Sequence, residues 1–110
     1  MTMQELYKRL VKLAEQRNIV VVDHDNMPVD VGFAGWYMYD QNENFIWIRP
    51  SLPLAKKISV LAHELGHFML HRETGYSILE SGTTDNQRER EATEYGRRLI
   101  RFLISIWNTP

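Results

Sequence analysis

"HELGHFMLH", residues 63–71, decides how this chain reads. Histidines stand at positions 63, 67 and 71, and a glutamate follows the first. On an α-helix, residues four apart lie one turn above another, so two such imidazoles can reach one small cation. A glutamate beside the first histidine then faces the water that the cation holds and can act as a general base for hydrolysis. The surroundings are helical. Leu54, Ile58, Leu61, Leu65 and Phe68 follow one another at intervals of 4, 3, 4 and 3, which makes a core-facing stripe. Upstream, Pro50 and Pro53 close a strand-like run and open this helix, since proline is tolerated in a first turn.

Not all three histidines can share the ion. At about 1.5 Å rise per residue, His63 and His71 are separated by about 12 Å along the axis. Two nitrogens on one zinc lie no more than about 4.2 Å apart, twice the bond length. His71 is therefore expected to close the helix, where the dipole favours it, and a third ligand must come from elsewhere. The last helix offers Glu89, Glu91 and Glu94. At about 100° per residue, Ala92, Tyr95, Gly96, Leu99, Ile100, Leu103 and Trp107 form one apolar arc. Arg90, Glu94, Arg97, Arg98 and Arg101 form the opposite face, which removes Glu94. Glu91 lies at the edge of the arc and Glu89 inside it, near Thr93 and Gly96, whose small side chains would admit another helix. A carboxylate on an apolar stripe is costly unless paired or metal-bound. The expected metal ligands are thus His63, His67 and Glu89, with Glu91 as the alternative. The expected ion is one zinc per chain, given nitrogen and oxygen donors. Glu64 is the expected base, and Tyr76, just after the helix, the expected oxyanion donor, with Tyr37 and Tyr95 as alternatives.

Around this motif the chain reads as alternating short elements. "TMQELYKRLVKLAEQ" is an amphipathic helix in which Thr2 and Glu5 have capping-box spacing. "NIVVV" (18–22), "GFAGWYMY" (32–39) and "FIWIR" (45–49) are strand-like, and "DHDNMP" (23–28) and "DQNEN" (40–44) are turn or connection chemistry. "TGYSILESGTTDN" (74–86) reads as a loop, with Gly75 as a helix stop and Thr84 or Asp85 as the cap of a final helix from Gln87 to Trp107. The chain has 110 residues, no repeats and no linker, so residues 1–110 are expected to form one α+β domain. The expected architecture is an N-terminal helix, a short, mostly antiparallel sheet, the motif helix and a C-terminal helix.

Composition narrows the function classes. With no cysteine, a disulfide framework, a thiol nucleophile and a cysteine-ligated metal are excluded. A net charge of -1 gives no footprint for direct nucleic-acid binding. No run approaches the roughly 18 apolar residues of a membrane span, and the N-terminus lacks a signal-peptide core, so a cytoplasmic location is expected.

"ISVLAHELGHFMLH" (58–71) followed by "EREATEYG" (89–96) resembles the ImmA/IrrE family of metallopeptidases. The H-E-x-x-H alone is shared by many unrelated peptidases; the second motif carries the family-level specificity. The resemblance implies a zincin-like, gluzincin-type core of a small sheet and a few helices around one zinc. Residue by residue, it implies His63 and His67 as metal ligands, Glu64 as the base, and Glu89 as the carboxylate four residues before the position usually held by asparagine. Here that position is Thr93, whose hydroxyl can serve the same hydrogen bond; Tyr95 and Gly96 also replace the usual phenylalanine and alanine. The family further implies a cytoplasmic, regulatory zinc endopeptidase of phage, mobile-element or stress systems. Its expected partner is a protein substrate, a helix-turn-helix transcriptional repressor. A non-catalytic zinc-binding interaction module derived from a peptidase fold is the alternative, and the intact Glu64 argues against it.

Overall fold

A computed structural model describes residues 1–24, 34–40, 42–71 and 86–107. The order of elements is α1 (Met3–Gln16), β1 (Ile19–Val22), β2 (Gly35–Asp40), β3 (Glu43–Ile48), α2 (Leu54–His71) and α3 (Asn86–Trp107). Thr2 caps α1 as its spacing with Glu5 implies: the Glu5 backbone N–H donates to Thr2 Oγ1 at 3.1 Å. The helix ends where Asn18 takes a left-handed backbone (φ 60°), a conformation asparagine tolerates better than most residues.

The sheet has strand order β1-β3-β2. β2 and β3 form the antiparallel hairpin expected around the 40–44 connection, with Asn42 at φ 66° in its turn. β1 lies on the other side of β3 and runs parallel to it, Val21 beside Ile46. The sheet is therefore mixed, with one antiparallel and one parallel pair. With β2 at the far edge and antiparallel to β3, β3 lies between β2 and β1 and runs parallel to β1.

The core lies between one face of the sheet, the apolar stripe of α1 and α2. Leu10, Ala14, Ile46, Ile48 and Leu61 have no exposed surface, and Leu6, Ile58, Leu65 and Phe68 are nearly as buried. Tyr37 belongs to this core: its ring meets Phe68 edge-on at 5.8 Å and its hydroxyl donates to Asn44 Oδ1 at 2.8 Å. Helix α3 packs antiparallel on α2, Gly66 opposite Ala92 and Gly96 opposite Ala62. Along α3, Ala92, Gly96 and Leu103 are buried, as the apolar arc predicts, but Trp107 is not. It sits on the surface beneath the guanidinium of Arg9, 4.3 Å from its ring.

Candidate metal centre

The two glycines set how close α2 and α3 can lie. A Cβ at Gly66 would stand 2.7 Å from the Ala92 carbonyl oxygen and 2.9 Å from its Cα. One at Gly96 would meet the Ala62 carbonyl carbon at 3.0 Å and the His63 backbone nitrogen at 3.1 Å. Without side chains at these crossings the two backbones touch, and side chains from the first turns of α3 reach α2.

His63 and His67, one helical turn apart, turn their Nε2 atoms toward each other at 3.1 Å. Glu89 of α3 lies against both, with Oε2 2.8 Å from His63 Nε2 and Oε1 3.2 Å from His67 Nε2. These donors are the set a tetrahedral zinc site requires, two imidazoles and a carboxylate. Bonds near 2.1 Å in tetrahedral geometry place ligand atoms about 3.4 Å apart, so the donors need spread by roughly 0.2–0.6 Å. Burial pulls the His67 imidazole down to about 4, against the opposing pull of Glu89, and keeps it neutral and able to ligate. The residues fit a metal ion.

Glu64 stands next to this cluster. Its carboxylate can come within 4.8 Å of ligand atoms of both His63 and His67, but the Glu89 contacts are closer. Glu64 is 2 % exposed, and its Oε2 has no hydrogen-bond partner among the described residues. Burial, and then the charge of Glu89, push its carboxyl well above the usual range; a backbone hydrogen bond from Tyr37 of β2 pulls the other way. An open cleft of about 380 Å³ runs past this group, walled by Gly35, Ser59, His63, Glu64, Thr93 and Arg97 among others.

The remaining candidates fall elsewhere. Glu91 lies against His71 instead, its Oε1 3.1 Å from His71 Nε2. Glu94, on the solvated face, pairs with Arg98 one turn on, at 3.0 Å. The Tyr37 hydroxyl is spent on Asn44 in the core, which removes it as an oxyanion donor. Tyr95 lines a different groove, beside Leu65 and Met69. Tyr76, Gly75, Thr84 and Asp85 lie outside the described residues. Thr93 stands where its hydroxyl can serve: its Oγ1 is 3.1 Å from His63 Nδ1. Two features went unread in the sequence: the hydrogen bond between β2 and Glu64, and the contact between His67 and His71, Nδ1 to Nδ1 at 3.1 Å. The second is signalled in the sequence by the four-residue spacing of His67 and His71, which puts the two rings on one helix face.

No curated protein and no solved structure matches this chain significantly. The model of peptidase family M78, described as the IrrE N-terminal-like domain, matches residues 14–101. The match takes in every element from the end of α1 to most of α3, and with them the whole of the His63, Glu64, His67 and Glu89 cluster; the chain belongs to the IrrE N-terminal-like, peptidase M78 family.

Proposed function

We propose that this chain is a zinc-dependent endopeptidase that acts in the cytoplasm on a protein substrate, a helix-turn-helix repressor of a phage or mobile element. Family membership supports the peptidase class, and the resemblance set out from the sequence supports the substrate. One observation carries the catalytic reading: Glu64 holds a buried carboxylate oxygen with no partner among the described residues, beside a three-donor cluster and on the wall of an open cleft. An unpaired oxygen on a buried carboxyl is costly and has no structural use. It does suit a general base once a bound cation offsets the burial and the Glu89 charge that otherwise keep it protonated.

In this reading His63, His67 and Glu89 hold the zinc. When bound, zinc polarises the scissile carbonyl and lowers the pKa of water toward about 7. Glu64 takes the proton from the attacking water and returns it to the amide nitrogen as the C–N bond breaks. The Tyr37 backbone N–H holds the Glu64 carboxylate toward the cleft. The Thr93 hydroxyl accepts a hydrogen bond from the His63 Nδ1–H and so keeps Nε2 free to ligate. Tyr76 is the proposed oxyanion donor.

The test is to incubate the zinc-loaded chain with repressor proteins encoded beside it and to map the products by mass spectrometry. Cleavage that a chelator stops, and that Glu64→Gln lacks while still binding zinc, is the expected result. Stoichiometric zinc with no cleavage of any such protein, nor of an unfolded general substrate, would instead support the non-catalytic module.

A further inference from the structure

We propose that His71 and Glu91 form a positioning relay behind His67, which holds its ring in the one tautomer and orientation that offers Nε2 to a metal. The inference rests on the reading of His63, His67 and Glu89 as metal donors. Neither relay residue touches the reacting atoms.

The geometry is a chain of two hydrogen bonds. His67 Nδ1 lies 3.1 Å from His71 Nδ1, and His71 Nε2 lies 3.1 Å from Glu91 Oε1. The protons can be placed in only one way that also serves a metal. A His67 ring that ligates through Nε2 carries its proton on Nδ1. That N–H needs an acceptor, because His67 is fully buried and an unmet donor there is costly. His71 Nδ1 accepts only when the His71 proton sits on Nε2. Glu91 selects that tautomer, since a carboxylate can only accept. Each ring is thus set by the group behind it, and the chain ends on a carboxylate that is half exposed to water.

The same axial offset that keeps His71 off the ion places it here. One turn of helix separates each histidine from the next, so the His67 ring faces His63 with one nitrogen and His71 with the other. The second donor has a shorter arrangement of the same kind, His63 Nδ1 against Thr93 Oγ1. Positions 89, 91 and 93 of α3 therefore supply one donor and the two groups that orient the histidines. Partners of this sort commonly change metal affinity by about 10- to 100-fold when removed.

The experiment measures zinc affinity by competition with a chromophoric chelator and reads histidine tautomers from ¹⁵N spectra of the zinc-loaded protein. A wild-type chain that binds no zinc overturns the donor reading itself, and the relay falls with it. Given stoichiometric zinc, His71→Leu keeps the bulk without the acceptor and should bind zinc about 10- to 100-fold more weakly, still at one ion per chain. His71→Gln, whose side-chain carbonyl can accept from His67 Nδ1, should retain most of the affinity. A packing role alone would not separate these two variants. Equal affinity for both, or unchanged affinity in His71→Leu, overturns the proposal. The wild-type spectrum should show His67 protonated on Nδ1 and His71 on Nε2; His71 protonated on Nδ1 overturns it as well. Glu91→Gln acts at the exposed end, where folding is not at stake, and should weaken zinc binding while keeping the stoichiometry. Complete loss of zinc in that variant would make Glu91 a ligand and refute the relay.

Discussion

Substituting Gly66 by alanine tests whether the backbone contact between α2 and α3 builds the proposed metal centre. The new methyl would lie 2.7 Å from the Ala92 carbonyl oxygen, 2.9 Å from its Cα and 3.1 Å from its carbonyl carbon. Carbon contacts are optimal at about 3.5–4.0 Å, so α3 must retreat by roughly 0.6–0.8 Å. Both sides of the contact are helix backbone, and no side chain can swing away to absorb it. Overpacking of this kind costs about 1–3 kcal/mol, and the better helix propensity of alanine returns up to about 1. The net loss is about 1–2 kcal/mol, or a fall in Tm of about 5–15 °C for a domain of this size. Glu89 sits one turn before Ala92 on the same helix, so the retreat also draws its carboxylate from His67, already 3.2 Å away. Zinc affinity should fall by at least about tenfold. Gly96→Ala is the control: its nearest contacts are 3.0–3.1 Å, which asks for a few tenths of an ångström, and propensity should nearly offset that. Urea unfolding of chelator-treated protein, followed by tryptophan fluorescence, gives the stabilities, and chelator competition gives the affinities. A Gly66→Ala protein as stable as wild type, with unchanged zinc affinity, would refute the idea that this contact sets the site.

Four further outcomes follow from the same geometry. Glu64→Gln should retain one zinc, lose hydrolysis by about 10²–10⁴-fold, and be more stable than wild type at pH 8 after chelation. The reason for the last is that the folded chain holds a Glu64 proton which the unfolded chain releases, so wild-type stability falls as pH rises above the unfolded carboxyl pKa; a variant no more stable there contradicts a buried, protonated Glu64. His67 acts with the opposite sign: with a folded pKa of about 4 against 6.5, it lets the unfolded chain bind a proton that the folded chain refuses. Chelated Glu64→Gln should therefore lose up to about 3 kcal/mol between pH 6.5 and 4, and His67→Gln should remove that dependence; an unchanged acid limb in the second variant would show that another group is responsible. Glu89→Ala should abolish stoichiometric zinc binding where Glu94→Ala leaves it intact, and elemental analysis after gel filtration decides between them. Adding zinc to about 100 times its Kd should stabilise the chain by about 2.7 kcal/mol; a thermal shift of the same size in Glu89→Ala would place the ion elsewhere.

Helix geometry alone determined the histidine half of the proposed centre. Once residues 54–71 are helical, His63 and His67 must stand one turn apart on one face, and the meeting of their Nε2 atoms needs no other element. The same periodicity put Glu89 within the apolar arc of the last helix and Glu94 among the arginines, and the structure keeps both there. Capping chemistry likewise marked the start of α1 at Thr2. The relations between elements were of another kind. That β1 runs parallel to β3, that Tyr37 offers a backbone N–H to Glu64, and that Glu91 meets His71 depend on how separate elements cross. A helical wheel ranks faces of one helix but says nothing of the offset along a second one. That offset is set where Gly66 and Gly96 let two backbones touch, and it decides which glutamate joins the histidine pair and which stands behind it. Local periodicity is written in neighbouring residues; the crossing of two helices is a sum of contacts between residues some 30 positions apart, and only the folded chain adds them up.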